Sequence, residues 1–433
     1  MKTSEIFDAL LANLKVGGTA ASVGARRDEI TKSLNKDFRS KDGDTAHKLM
    51  VGSYGRHTAV KGVSDLDMIY ILPSDIRTDY SSESGPRRML ERVRDDLKAR
   101  YSNTDIRVDQ CVVRVQFTSN AFKFEVQPAF ENSDGSFDYP DTAAGSWKVT
   151  KPRAEIEATK ACNDRTSTNM RHLARMARAW KNANGVGIGG LLIDTLVHRF
   201  FAQTTDYDSA GSGSFDLMVR DFFGFLHQEP DKDFYLALGS SQRVKVKARF
   251  QPKAKKAYNR CLEAIAEEGK TSANKKWREV FGTSVPLKAV VESARSFDNT
   301  EEFVEQKYPI DVQYMLAIDC TVAQNGWRPA SLREMLHAKS LLLPNKELDF
   351  TIAECDVPGS YDVRWKVLNQ GDEAERRNQI RGQIVEPNRV TGRHERTSFR
   401  GEHVVECYVV QDGVVVARDR IDVPISATPG ASA

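Results

Sequence analysis

Asp65 and Asp67 open the run DLDMIYIL and are the first residues whose types and spacing could do chemistry. In a strand beginning there, alternation points both carboxylates to one face at the strand's exposed start. Two carboxylates so close repel one another unless a cation lies between them. Hard oxygen ligands at this spacing suit Mg²⁺, with Mn²⁺ as an alternative. Two such ions about 3.5–4 Å apart can activate an attacking hydroxyl on one side and stabilise a leaving pyrophosphate on the other. That chemistry calls for a third acid on a neighbouring strand. Glu125 in FKFEVQPAF alternates with Phe124 and Val126 and is the candidate, so Asp65, Asp67 and Glu125 are expected to be both the catalytic and the metal-holding residues. Upstream, Gly52 lets a phosphate approach the backbone, and Ser53 can offer a hydroxyl and an N–H to β and γ phosphates.

Elements that could position these residues follow from the periodicity. Residues 4–14 and 25–38 carry apolar side chains at helical spacing, separated by a turn around Gly17 and Gly18. The period then changes. Residues 48–52, 65–72, 107–118 and 122–130 read as strands, with a charged helix over about 86–100, which predicts an α/β sheet. From Pro152 to about Leu343 the pattern is helical, including NMRHLARMARAWK and GGLLIDTLVHRFF, with breaks at 184–190 and 206–214. The run 243–260 holds eight basic residues and no acid, which reads first as a solvated helix and loop. Short β-like runs follow at 350–353, 362–368, 380–385, 403–410 and 414–419, the last two joined by Gln411, Asp412 and Gly413 as a hairpin. The expected segments are 1–150, 151–343, a small β-rich domain at 344–425, and a flexible tail at 426–433.

A chain of 433 residues with 40% hydrophobic and 28% charged residues can build two or three cores, which excludes wholesale disorder. Its net charge of +3 is too small to argue for nucleic-acid or membrane binding by bulk attraction. Six cysteines stand singly, without a CxxC pair, as expected of a reduced cytosolic chain. No stretch approaches the roughly 18 apolar residues of a membrane helix, and the N-terminus does not read as a signal peptide. A soluble, cytoplasmic protein is expected.

GSYGRHTAVKGVSDLD, with the later acid in FEVQPAF, resembles the nucleotidyltransferase core shared by DNA polymerase β, oligoadenylate synthase and cyclic GMP-AMP synthase. It is most similar to the bacterial cGAS/DncV-like nucleotidyltransferases with a second-messenger oligonucleotide synthetase (SMODS) domain. The resemblance runs through most of residues 1–343. It implies an α/β polymerase-β-like core with a helical lobe completing a nucleotide cleft. It also implies that Asp65 and Asp67 bind two Mg²⁺ ions and that Glu125, where many relatives place Asp, completes one of them. Lys181, after Trp180, matches a position where relatives place a lysine near the triphosphate. Arg56 and Lys61 lie in the turn beside the phosphates. VRWKVLNQGDEAERRNQIRGQI and TSFRGEHVVECYVV resemble the adenylyl/guanylyl cyclase and SMODS C-terminal sensor domain, a small sandwich-like β domain proposed to detect an infection cue. Trp365, Asn369, Arg377, Asn378, Arg381 and His403 are its candidate ligand contacts. His172 and His198 read as packed side chains.

The resemblance implies a template-independent enzyme making a cyclic or short oligonucleotide signal from nucleoside triphosphates in an anti-phage (CBASS) operon. Its partners would be a downstream effector, an infection-derived ligand and, as a further candidate, nucleic acid. Two alternatives remain open on the residues alone. The same acids would serve a non-templated polymerase using deoxynucleotides, and an inert core could leave a ligand-sensing module.

Overall fold

The computed structural model describes residues 2–17, 20–62, 65–117, 123–286, 301–323 and 328–426. Gly18, Thr118, Phe122 and the tail 427–433, on which expectations fell, lie outside them. The chain divides into two compact units, one of residues 1–179, 189–246 and 251–286, the other of 180–188, 247–250 and 287–433.

In the first unit, α1 (Thr3–Leu14) and α2 (Ala20–Arg39) precede β1 (Lys48–Met50), the single turn α3 (Gly52–Gly55) and β2 (Asp65–Ile71). Helix α4 (Gly85–Arg100) leads to the hairpin β3 (Asp105–Asp109) and β4 (Val112–Gln116), then to β5 (Lys123–Glu131), β6 (Phe137–Asp141) and β7 (Ser146–Thr150). The sheet order is β1-β2-β5-β4-β3, with β6 and β7 continuing from β5. β2 and β5 run parallel at its centre, and the remaining pairs are antiparallel. The strand expected over 107–118 is two strands, because the chain reverses through Gln110, whose φ is +34°.

Alternation decides what this sheet buries. On one face Leu66, Met68, Tyr70, Val113, Val115, Phe124 and Val126 pack against Ile30 and Leu34 of α2 and Met89, Val93 and Leu97 of α4. Each such side chain contributes about 1.5–3 kcal/mol on burial, so this face fixes the strand register. Asp65, Asp67 and Glu125 occupy the alternate positions.

The helical part of this unit comprises α5 (Pro152–Arg165), α6 (Asn169–Asn184), α7 (Gly190–Gln203), α8 (Phe215–Gln228), α9 (Gln251–Ala266) and α10 (Thr271–Phe281). From Trp180 onward α6 counts with the second unit. Met170, Leu173, Ala174 and Ala177 form the buried stripe of α6. Phe7 joins the N-terminus to this part, its ring edge-on to Trp277 at 5.0 Å. The basic run expected as helix and loop begins as a strand, since β8 (Phe234–Leu236) and β9 (Arg243–Lys245) form a hairpin ahead of α9.

The second unit contains α11 (Val304–Lys307), β10 (Leu316–Ala323), β11 (Ala330–Ser331), α12 (Leu332–His337), β12 (Glu347–Cys355), β13 (Asp362–Leu368), α13 (Asp372–Arg376), β14 (Arg381–Val385), β15 (Arg393–Arg396), β16 (Gly401–Gln411) and β17 (Val414–Ile425). Two four-stranded antiparallel sheets, β11-β10-β12-β15 and β14-β13-β16-β17, share a core of Ile318, Phe350, Trp365, Cys407 and Val409. The expected hairpin is β16–β17, turning through Asp412 and Gly413, both at positive φ. The helical pattern read up to Leu343 differs here: LAIDCTVA is β10. It pairs with β12, so one sheet crosses the expected break at 343/344. Its alternating Leu316, Ile318, Cys320 and Val322 are all buried.

Candidate functional site

The parallel register sets Asp65 opposite Lys123 and Asp67 opposite Glu125. Three carboxylates therefore sit on one face of two adjacent strands, as alternation requires. Their environment is short of compensation. Asp65 Oδ1 is buried and lies 3.2 Å from Lys123 Nζ, yet it makes no hydrogen bond of acceptable geometry. Glu125 Oε1 accepts from Arg114 Nε at 3.2 Å, while Arg114 also reaches Asp109 at 2.7 Å. Burial and the neighbouring Asp65 charge push the Glu125 carboxyl up, and Arg114 and Lys123 only partly offset them.

Among the described residues no three His, Cys, Asp or Glu side chains close into a ready-made metal cage. The donor set nonetheless fits hard cations. All three groups are oxygen donors, one oxygen is buried without a hydrogen-bond partner, and the flanking Lys123 and Arg114 offset the acids only in part.

The backbone around Gly52 presses on this face. Val51 N–H donates to the Asp67 carbonyl at 3.0 Å, extending the β1–β2 pairing into the turn. Gly52 has a φ of +61°, and a β-carbon there would overlap the Asp67 carboxylate, so both conformation and space demand glycine. Ser53 follows at once. Its carbonyl accepts from Thr58 N–H at 2.9 Å and Ala59 N–H at 3.1 Å.

The expected cations divide. Lys61 is exposed, its backbone N–H tied to the Leu14 carbonyl at 2.8 Å. Arg56 is no exposed loop cation. It is 4% exposed, with Nε 2.7 Å from Asp194 Oδ2 and Nη1 3.4 Å from Glu155 Oε2. Lys181 is not a solvated helix end either. It is 3% exposed, and its Nζ donates to Asp311 Oδ1 at 2.8 Å within the second unit.

Sequence reasoning missed a pair of cations on α6. Arg171 and Arg175 are one turn apart and share a helix face. Arg175 Nη2 donates to the His57 carbonyl at 2.9 Å, four residues past Ser53. Neither arginine pairs with a carboxylate among the described residues, and both Nε atoms are buried without partners. Burial lowers the proton affinity of both; for Arg175 the neighbouring Arg171 and Arg178 charges add to that effect. The same two arginines, after burial, depress His57. Two cations without a paired carboxylate beside the turn, with Asp164 acting on Arg171 only at longer range, are an electrostatic fit for an anion.

Residues 1–163 match the family described as the Second Messenger Oligonucleotide or Dinucleotide Synthetase (SMODS) domain. Residues 298–426 match the Adenylyl/Guanylyl and SMODS C-terminal sensor domain (AGS-C). The chain thus carries a SMODS nucleotidyltransferase domain followed by an AGS-C domain.

This SMODS chain is 23% identical, over 180 residues, to a probable cyclic nucleotide synthase of Bacillus cereus (strain VD146). The match covers 35% of this chain and 54% of that protein, so the chain spans about half the length of the curated relative. Among solved structures, Escherichia coli MS115-1 CdnC with ATP aligns at a TM-score of 0.50 and 14% identity, over 66% of this chain and 99% of CdnC. CdnC in its complex with HORMA-deltaN aligns at 0.51 and 14%, over 66% and 98%. These likenesses show the fold, a polymerase-β-like α/β core with a helical lobe.

In the AGS-C part, the six candidate contacts carry structural duties. Trp365 is fully buried and its indole N–H donates to the Thr391 carbonyl at 3.0 Å. Arg381 forks onto Glu395 at 2.6 and 2.9 Å. Arg377 pairs with Glu373 and lies 5.2 Å from the Phe399 ring. Asn369 donates to the Gln379 carbonyl at 2.7 Å, and Asn378 takes a turn position at φ +53°. His403 is buried between Gln370 N–H, 3.3 Å from Nδ1, and the Phe399 carbonyl, 3.2 Å from Nε2, which fixes the neutral Nε2–H tautomer. Burial lowers its proton affinity accordingly.

Proposed function

We propose that this SMODS chain joins nucleoside triphosphates, without a template, into a cyclic or short oligonucleotide second messenger and releases pyrophosphate. The single observation carrying the reading is the β2–β5 register that gathers Asp65, Asp67 and Glu125 on one face beside the Gly52–Ser53 turn.

In this reading Asp65 and Asp67 would hold two divalent ions, Mg²⁺ or Mn²⁺, with Glu125 as the further ligand to one. When bound, the ions would supply charge neutralisation for the triphosphate and Lewis-acid activation of the attacking hydroxyl. The chain's own groups do the rest. Gly52 admits the phosphates to the backbone, and Ser53 orients them with its hydroxyl and N–H. Arg175, with Arg171, attracts the polyphosphate from α6, taking the role the resemblance gave Lys181. Lys61, exposed in the same turn, adds long-range attraction. Arg56 acts from behind the turn rather than on the phosphates.

The AGS-C domain would receive an infection cue, and the product would switch on a separate effector in anti-phage defence. CdnC was solved with ATP and in a complex with HORMA-deltaN, which supports nucleotide substrates and a protein partner here too. Among the described residues no helix is long and apolar enough to cross a membrane, consistent with action in the cytoplasm.

The test is mass spectrometry of products from all four NTPs and all four dNTPs with Mg²⁺. A small phosphatase-resistant product, lost in the Asp65→Ala/Asp67→Ala double variant, is expected. A ladder of linear products would replace the signal-synthase reading with the polymerase. Incorporation retained by the double variant would overturn the site.

A further inference from the structure

Behind the Gly52–Ser53 turn lies a set of charges that no proposed catalytic step uses. Asp194 of α7 is fully buried, yet it is ionised. Burial pushes its carboxyl up, but the charges and hydrogen bonds of Arg178 and Arg56 outweigh that and hold it below the ordinary aspartate value. Arg178 of α6 forks onto it at 2.6 and 2.9 Å, Arg56 Nε reaches it at 2.7 Å, and Thr58 Oγ1 donates to Oδ2 at 3.0 Å. Glu155 of α5 supplies the second negative charge at Arg56, and it accepts from Ser240 Oγ at 3.1 Å. Two cations thus meet two anions, with residues from the turn, three helices and the β8–β9 hairpin all joined in one place.

Buried ion pairs are seldom retained for stability alone, since apolar residues of equal volume often do as well. What this set specifies is geometry. Thr58 has one hydroxyl proton, and the shorter contact gives it to the charged Asp194 rather than to the Ser53 carbonyl 3.5 Å away. The fixed Thr58 backbone then holds the Ser53 carbonyl through its own N–H and that of Ala59.

We propose that Asp194 is a positioning residue for Ser53, acting through Thr58 and Arg56, and so sets the placement of the donor nucleotide's β and γ phosphates. The proposal rests on the transferase reading above. Asp194 touches no substrate. Its effect passes along the path Asp194 carboxylate, Thr58 hydroxyl, Thr58 and Ala59 N–H, Ser53 carbonyl.

The discriminating variants are Thr58→Val, which keeps the shape and removes the hydroxyl, and Thr58→Ser, which restores it. In the full chain with Mg²⁺ and NTPs, Thr58→Val should raise the nucleotide KM about tenfold with kcat changed less than threefold, since lost phosphate placement weakens binding. Thr58→Ser should return KM to within twofold of the parent. A merely structural role would lower the active fraction, and hence the apparent kcat, while leaving KM alone.

Amide exchange of the nucleotide-free chain gives a second readout. Thr58 and Ala59 N–H should exchange at least tenfold faster in Thr58→Val, and also in Asp194→Asn if that variant folds, while the β2–β5 amides stay protected. Unchanged KM together with unchanged exchange in Thr58→Val overturns the proposal. Should the parent release no pyrophosphate from any nucleotide mixture, the transferase reading falls, and exchange at these two amides still decides the positioning path.

Discussion

The acids at the β2–β5 face and Glu406 in the AGS-C domain are all removed from water to a similar degree, yet their surroundings treat them in opposite ways. Glu125 has its carboxyl pushed up, and Asp65 keeps a buried oxygen without a hydrogen bond. Glu406 accepts from Arg418 at 2.7 Å and from the Tyr408 hydroxyl at 2.8 Å, and Lys366 lies 3.6 Å away. Burial pushes Glu406 up, but Arg418 and Lys366 overcome it and bring the carboxyl down to about 2. Glu301 and Glu305 satisfy the same two cations from the segment leading into the sheet, at 2.8 and 3.5 Å. Charges that hold a fold together find opposite charges from the fold itself. In the proposed reading, the β2–β5 acids are instead left only partly offset by the fold, as charges kept for a ligand would be.

The strongest way to break this contrast is to delete the two aspartates of the β2 face. Asp65→Ala/Asp67→Ala should reduce pyrophosphate release by about a thousandfold or more, the loss of several kcal/mol of transition-state stabilisation. Thermal unfolding should remain cooperative with an undiminished Tm. A large drop in Tm would mean the acids are structural after all.

On the other side of the comparison, Arg418→Ala leaves Glu406 buried and short of its nearest cation. It should cost the AGS-C domain roughly 3–5 kcal/mol in urea unfolding. The same compensation makes a pH prediction. A carboxyl whose folded value is depressed stabilises the fold above its ordinary value of 4.5, and that stability disappears as pH falls toward about 2. The parent domain should therefore lose stability across that window. Glu406→Gln, already weakened at neutral pH, should show a flatter profile in denaturant titrations.

Arg175→Ala tests whether a carboxylate-free cation is also a sign of function. It should raise the nucleotide KM about tenfold, the value of one charged phosphate contact, with little change in Tm. Steady-state pyrophosphate assays would read both parameters. The smallest effect belongs to Glu125→Gln. Removing a carboxylate that folding holds in an unfavourable charged state should raise the Tm slightly in the absence of divalent ions, while activity falls. A lowered Tm would place Glu125 with the compensated acids.

What the sequence discloses and what it hides follow from how local each signal is. Asp65, Asp67 and Glu125 are legible because a strand's period of two is written in consecutive residues, and the apolar Leu66, Met68, Phe124 and Val126 mark the opposite face. β16–β17 is legible because Asp412-Gly413 supplies the positive φ its turn needs. Arg175 leaves no such trace: it is one of three arginines in NMRHLARMARAWK, and only the folded chain brings it to the His57 carbonyl. Lys181, six residues on, lies about 240° round the helix from Arg175, so the Trp-Lys pair draws the eye to a different face. Arg56 and Asp194 are 138 residues apart, and nothing in GSYGRHT announces that its arginine points inward. β10 was hidden because a single strand following long helices offers only eight residues of alternation.

The space denied to a β-carbon at residue 52 by the carboxylate of residue 67 ties two positions fifteen apart into one heritable unit. A homologous gene that exchanges the glycine for any larger residue must either lose the aspartate or swing it out of place. A paralogue that has exchanged that glycine should thus have abandoned the chemistry proposed above, even with every acid still encoded.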